Sequence, residues 1–339
     1  MEKNRENIQA SADMNSDNGK KRNRSKTKTV VILLLCAIAL VFVVPLLTGG
    51  GSMYVQLYRI KDHTVGHVNE FEFQGCNSLV SVTVTGKTLG RNGFSECLNL
   101  TTVIIGDETE YIGTGAFENC VKLTDVTLGT GLTKIAEDVF NGCDIKNLYI
   151  TDIEKWCNVT FGNFAYDTHG SSPLADNIYV NGVLLTELVI PESVTTVSWG
   201  VFTDCKSISC LTIPDTVTEI SAAAFSNCDG ITSVVIPDSV TKLDAFAFES
   251  CDSLTSVTVG NGVTVLLDGV FGKCKNLTGV TLGNGIKKID GRAFGKSDNL
   301  TSITFNGTKA EWDKIEKINW WHASSIQTVI CTDGEVTLQ

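Results

Sequence analysis

The apolar positions of this chain recur at a fixed interval. From Ile208 they run Ile208, Leu211, Ile213, Val217, Ile220, Ala224, Phe225 and Cys228, and 23 residues later the same order returns as Ile231, Val234, Ile236, Val240, Leu243, Phe248 and Cys251. The clearest tag is Phe-x-x-Cys, at Phe73/Cys76, Phe94/Cys97, Phe117/Cys120, Phe140/Cys143, Phe202/Cys205, Phe225/Cys228, Phe248/Cys251 and Phe271/Cys274. A further copy, Phe294/Ser297, has a hydroxyl where the sulfur stood. A period of this size predicts a repeat solenoid of α/β type, because one repeat cannot bury its own apolar residues and a stack of them can. The β-branched segment that opens each repeat, such as Leu-x-x-Val-Thr-Val, predicts a short strand. Pro191, Pro214 and Pro237, or Gly106, Gly129, Gly260 and Gly283, follow it at one register and end it. The Ala-Phe-x-x-Cys part is expected to form a short helical turn on the opposite side. Five strands are expected in an uninterrupted row between Ile208 and Phe305.

The stretch Ile-Pro-Asp-Thr-Val-Thr-Glu-Ile-Ser-Ala-Ala-Ala-Phe-Ser-Asn-Cys-Asp-Gly-Ile-Thr-Ser-Val-Val-Ile-Pro-Asp-Ser-Val, residues 213–240, resembles the BspA-like class of leucine-rich repeats, and the likeness extends over Val68 to Phe305. The resemblance implies a leucine-rich repeat coil and a role in surface adhesion or host interaction, with no family-wide catalytic residue. The commoner leucine-rich pattern has an Asn after the strand that forms a buried ladder. Thr216 and Ser239 stand there here, so the ladder is expected to be missing.

The pattern fails twice, at 151–184 and at 306–339, and the two segments resemble each other. Thr151-Asp-Ile-Glu154 and Thr308-Lys-Ala-Glu311 are capping boxes that start a helix. Asn181-Gly182 and Asp333-Gly334 are hairpin signals further on. Each segment therefore predicts a helix-hairpin module, the second closing the stack and the first acting as an enlarged rung through which the coil continues. The cluster Trp312, Trp320, Trp321 and His322 is assigned to the core of the closing module.

Charge changes the picture at the N-terminus. Residues 1–29 hold eight Lys/Arg against four Asp/Glu, while the rest of a chain of net charge -11 holds 19 against 34. An acidic repeat domain argues against nucleic-acid binding, which needs a basic face. Val30 to Leu47 is an uncharged apolar run of 18 residues preceded by six basic residues, Lys20, Lys21, Arg22, Arg24, Lys26 and Lys28. That length suits a membrane span, and the basic flank orients it with the N-terminus inside. The organisation expected is a basic, disordered cytoplasmic tail (1–29), a transmembrane signal-anchor (30–47), a linker and N-terminal cap (48–67) with a first strand at Tyr54–Ile60, repeats (68–150), the inserted module (151–184), repeats (185–305) and a C-terminal capping module (306–339). The rival reading of 30–47 is a cleaved signal peptide, which would make the protein secreted.

Candidate chemistry is sparse. His63 and His67 stand four apart with no third metal ligand nearby. His169 lies in a Ser-containing loop without a nucleophile elbow. Gly129-Thr-Gly131, Gly260-Asn-Gly262 and Gly283-Asn-Gly285 share one repeat register and are turns, not a dinucleotide fingerprint. Eight of twelve cysteines belong to the repeat tag, so they are expected to be buried free thiols acting as small hydrophobes. No cofactor, metal or catalytic residue is expected. The outward strand positions are read as two columns, one including Thr232, Thr255, Thr278 and Thr301 and the other Thr212, Thr258, Thr281 and Thr304. They form the candidate partner-binding face, for an extracellular protein of a host or neighbouring cell, or for a glycan. A surface spacer without a specific ligand is the alternative, and a glycan-binding or glycan-processing protein the third reading.

Overall fold

The computed structural model describes residues 61–162, 175–318, 321 and 325–338. The expected tail, the 30–47 span, the strand at Tyr54–Ile60, the His169 loop, Trp320 and His322 lie outside the described residues. No helix among the described residues is long and apolar enough to cross a membrane.

A typical rung is a four-residue strand, shortened to three at Glu187–Val189 and Cys210–Thr212, then a two-residue strand and an arc of turns. In Ser256–Val259 the residues alternate exposed and buried, with Val257 and Val259 pointing into the stack. Adjacent rungs pair in parallel with no slip, Ser233 opposite Ser256 and Ser256 opposite Gly279. The 23-residue period thus fixes the register, because any slip by one would turn the valines outward.

The strands Asp62–Val65, Ser81–Val84, Thr102–Ile105, Asp125–Leu128, Asn147–Ile150 and Asn177–Val180 form one sheet, which the antiparallel strand Val183–Leu184 closes. A second series starts at Glu187–Val189, which pairs with Cys210–Thr212. Ser233–Ile236, Ser256–Val259, Gly279–Leu282, Ser302–Phe305 and Thr328–Cys331 follow in one sheet, closed by the antiparallel strand Gly334–Thr337. The row expected to be uninterrupted from Ile208 has a seam: Cys210–Thr212 and Ser233–Ile236 belong to different sheets. Proline removes one inter-rung bond at this register, although Glu187–Val189 and Cys210–Thr212 pair across the same loss at Pro214. In the glycine rungs the residue after the strand donates to the previous rung, as Gly260 N does to the Ile236 carbonyl and Gly283 N to Val259, both at 2.8 Å. Pro214 and Pro237 have no such donor.

The arc around each Phe is not helical, contrary to the expectation of helical turns. Two residues in it, two before and two after the Phe, adopt left-handed backbone: Ala223 and Asn227 around Phe225, Phe246 and Ser250 around Phe248. Left-handed residues break an i to i−4 ladder, so the amides turn to the next rung instead. Phe225 N donates to the Ala247 carbonyl at 2.9 Å and Asn227 N to Glu249 at 2.8 Å. The helices among the described residues are α1 (Ile153–Cys157) and α2 (Lys309–Trp312).

Inside the arcs the Phe rings form two stacks. Phe73, Phe94, Phe117 and Phe140 lie 5.0 to 5.6 Å apart and near parallel. Phe202, Phe225, Phe248, Phe271 and Phe294 continue at 5.1 to 5.9 Å. The cysteines beside them are more than small hydrophobes. Within each stack the thiols donate to the Phe carbonyl one rung back, as Cys228 does to Phe202 at 3.0 Å, Cys251 to Phe225 at 3.1 Å and Cys274 to Phe248 at 3.2 Å, while Cys76 and Cys205, in the first rung of each stack, lie against the hydroxyls of Ser78 and Ser207. Ser297 donates to Phe271 at 2.9 Å, so the exchange of sulfur for oxygen keeps the bond. The eleven described cysteines are free thiols.

The position expected to lack a ladder also bonds between rungs. Ser239 donates to the Val217 carbonyl at 2.8 Å and Thr216 to Val194 at 3.5 Å. A hydroxyl here reaches the previous rung directly. The Asn of Asn-Leu-Thr does the same, with Asn276 Nδ2 on the Asp252 carbonyl at 2.8 Å and Asn299 Nδ2 on Lys275 at 2.6 Å. The glycines of the Gly-x-Gly turns are needed for close approach: a Cβ on Gly262 or Gly285 would overlap the carbonyl oxygen of Asp238 or Asn261 one rung back.

Both irregular segments run from a helix through a short strand to a hairpin. The Thr308–Glu311 capping box forms. Its counterpart does not, because Asp152 takes the N-cap and accepts from Lys155 N at 3.0 Å; an Asp carboxylate one residue on satisfies the amide that Thr151 was expected to satisfy. Asn181 and Gly182 are both left-handed and make the first hairpin turn. In the second hairpin Cys331 pairs with Gly334, so the turn is Thr332–Asp333 and not Asp333–Gly334. The inserted module does not carry the sheet onward as an enlarged rung would, since Val183–Leu184 closes it. What crosses is the core: Trp156 Nε1 donates to the Val201 carbonyl at 3.1 Å and Ser198 to Cys157 at 3.1 Å. At the far end the buried Trp321 meets the ring of Phe294 edge-on at 6.4 Å and Trp312 at 5.8 Å.

Candidate interaction face

Two columns of side chains stand out from the long strands, because alternate residues leave the core. Between Cys210 and Thr304 one column holds Cys210, Ser233, Ser256, Gly279 and Ser302, and the other Thr212, Val235, Thr258, Thr281 and Thr304. None of these ten positions is charged, on a chain of net charge -11. The ion pairs lie elsewhere, in the two-residue strands and the arcs: Lys242 with Glu219 at 2.7 Å, Lys275 with Asp252 at 2.6 Å, Arg292 with Asp268 at 2.6 Å.

The structure separates the threonines that the sequence grouped together. Thr212 and Thr258 are exposed in the second column, and Thr281 and Thr304 are half-buried in it. Thr232, Thr255, Thr278 and Thr301 stand one residue ahead of the strands. The hydroxyl of Thr255 donates to the Thr232 carbonyl at 2.9 Å and that of Thr278 to Thr255 at 3.3 Å. That position therefore serves the stack as another inter-rung ladder. Thr occurs at both registers, so residue type alone does not separate them. Following the period-two alternation instead leads to Val189 and Val235, each 62% exposed in the second column, with Ile330 beyond Thr304 and Ile104 at the same register in the first sheet. Two of the outward positions are thus apolar surface that the Thr reading passed over.

Among the described residues the titratable groups are not gathered into one cluster. His63 lies on the first described strand with its ring edge-on to Phe73 at 5.5 Å, and burial lowers its pKa against the opposing pull of Glu72. No group of three His, Cys, Asp or Glu among the described residues is placed to hold a metal ion. Lys317 lies over the Trp312 ring at 4.6 Å and donates to the Trp312 and Ile315 carbonyls at 2.6 and 3.0 Å, and burial holds its pKa below the usual lysine value. It secures the turn after α2.

The model of the BspA type leucine rich repeat region matches residues 56–166 and 173–301. The chain belongs to that family of leucine-rich repeat proteins. Among solved structures it is similar to a leucine rich cell surface protein from Faecalibacterium prausnitzii (20% identity, TM-score 0.46, covering 76% of this chain and 91% of that one). It is also similar to leucine-rich repeat proteins from Eubacterium ventriosum (18%, TM-score 0.47, 78% and 87%) and Bacteroides ovatus (22%, TM-score 0.44, 78% and 78%). No curated protein matches.

Proposed function

We propose that the protein binds an extracellular protein through the uncharged sheet face between Cys210 and Thr304 and carries out no catalysis. The observation that carries this reading is that face: ten outward positions on five successive long strands, without a charge, with Val235 exposed among hydroxyls. An exposed apolar side chain on a flat, neutral sheet gains free energy when covered, whereas a charged one must be desolvated or paired. Contact would be by methyl packing and short hydrogen bonds, weak at each rung and strengthened by repetition. Replacing Thr212, Thr258, Thr281 and Thr304 together with Lys is expected to lower retention on immobilised extracellular-matrix proteins at least tenfold, with the circular dichroism spectrum unchanged. Undiminished retention would place the contact elsewhere and defeat this reading.

The same proposal sets the repeats outside a cell, held by residues 30–47 with residues 1–29 inside, on the strength of the uncharged run and its basic flank. Protease added to intact cells should then cut the repeats and spare the N-terminal tail. A soluble protein released with its first residue near Gly49 would mean a cleaved signal.

A further inference from the structure

In a repeat stack, residues that follow the consensus maintain the stack, and clustered departures from it mark what one region does alone. Among the described residues, aromatic rings and side-chain amides reach the outward columns of the long strands in one place. There Asp125, Asn147 and Asn177 stand side by side on three neighbouring strands, and Tyr149 and Tyr179 pair beside them. The equivalent positions in the second series hold Ser, Thr, Val, Cys, Gly, Ile and one Glu, Glu187.

The patch is ordered by its own contacts. Asn177 Nδ2 donates to Asn147 Oδ1 at 3.2 Å, and Asn147 Nδ2 donates to Asp125 Oδ1 at 3.0 Å. The Tyr149 hydroxyl donates to the same Oδ1 at 3.2 Å, and the Thr124 hydroxyl to Asp125 Oδ2 at 2.7 Å. Burial alone would raise the Asp125 carboxyl, but the bonds from Asn147, Thr124 and Tyr149 together hold it below the ordinary value, so it is an anion at neutral pH. The phenol rings of Tyr149 and Tyr179 are stacked at 5.0 Å with 20° between their planes. Leu184 lies opposite Tyr179 on the closing strand and is 38% exposed. On the other side Tyr149 faces Thr127, whose side chain is too short to cover a phenol ring.

The result is a row of fixed donors and acceptors beside an apolar shelf. An amide has two N–H donors and two carbonyl lone pairs, so Asn147 and Asn177 keep capacity after the bonds named. A pyranose matches this surface: its ring hydrogens form an apolar face that packs on aromatic rings, and its hydroxyl rim donates and accepts in pairs. The carboxylate at one end disfavours an anionic sugar.

We infer that the patch Asp125, Asn147, Tyr149, Asn177 and Tyr179 is a binding site for a neutral glycan, separate from the protein-binding face proposed above. The polar row takes the hydroxyls and the tyrosine pair takes the ring face. The test is a printed array of defined neutral and sialylated oligosaccharides, probed with the full chain. The wild-type protein is expected to retain neutral oligosaccharides that share a terminal pyranose. Changing Tyr149→Ala and Tyr179→Ala together should lower that signal at least tenfold with the circular dichroism spectrum intact. Tyr179→Phe, which keeps the ring, should retain most of it, and Asn177→Leu should lower it. The fourfold Thr→Lys change on the second series should leave it in place, so loss of glycan binding and loss of protein binding are told apart. The inference is overturned if no neutral oligosaccharide is retained, if only sialylated ones are, or if the double Tyr→Ala change leaves the signal unaltered.

Discussion

Phe225→Ala is expected to lower the stability of the protein by about 3–5 kcal/mol, in the range of large-to-small changes at fully packed aromatic sites. The ring of Phe225 has no exposed surface and lies between Phe202 at 5.4 Å and Phe248 at 5.1 Å. Its loss opens a gap in a column and leaves two neighbouring rings without a partner face. The backbone there cannot collapse to fill the gap, because Phe225 N is bonded to the next rung at 2.9 Å and its carbonyl accepts the Cys251 thiol at 3.1 Å. Thr258→Ala, on the exposed strand face, is expected to cost less than about 1 kcal/mol. Urea unfolding of the two variants measures the difference. Equal losses would mean that the inside and outside of the rung have been exchanged.

The part of the fold that could be read from the sequence is the part that repeats with one residue type. Phe225, Cys228 and their equivalents must fill the same space in every rung, so the period of 23 stands out. The arc around them could not be read. Its left-handed positions hold Ala223, Phe246 and Arg292 in one register and Asn227, Ser250 and Lys273 in the other. Gly115, Gly200 and Gly269 share the first register and Asn119 and Asp204 the second, residues that left-handed backbone favours, but the others interrupt them, and Ala-Phe taken alone suggests a helix. The caps were readable because Thr308 and Glu311 carry their own local chemistry, whereas Asp152 displaced Thr151 by a shift of one residue that composition does not reveal. The candidate face was half readable. Thr258 and Thr255 look alike in sequence and both are exposed, yet Thr258 stands on the strand and Thr255, one residue ahead of it, spends its hydroxyl on the rung behind. Tyr149 and Tyr179 were hidden by the irregular spacing of the inserted module, which places residues 30 apart side by side.

Thiol chemistry is expected to divide the cysteines sharply. Cys228, Cys251 and Cys274 are buried and donate to main-chain carbonyls. Burial pushes the Cys274 thiol up to about 12, as it does Cys143 and Cys157, and raises Cys228 and Cys251 well above the usual value. The thiolate is the reactive form, so these sulfurs are both enclosed and protonated at neutral pH. Cys210 is the exposed member of the eleven described, in the first outward column of the sheet face. Only this one should react quickly.

In this fold the Phe and Cys columns face in while the Cys210 and Thr258 columns face out. Brief alkylation of the native full chain at neutral pH, followed by peptide mass spectrometry, tests it directly. Among the eleven described cysteines the account predicts rapid modification of Cys210 alone, and of all eleven once the chain is unfolded in denaturant. Rapid modification of Cys228, Cys251 or Cys274 in the native chain, or a protected Cys210, would contradict it.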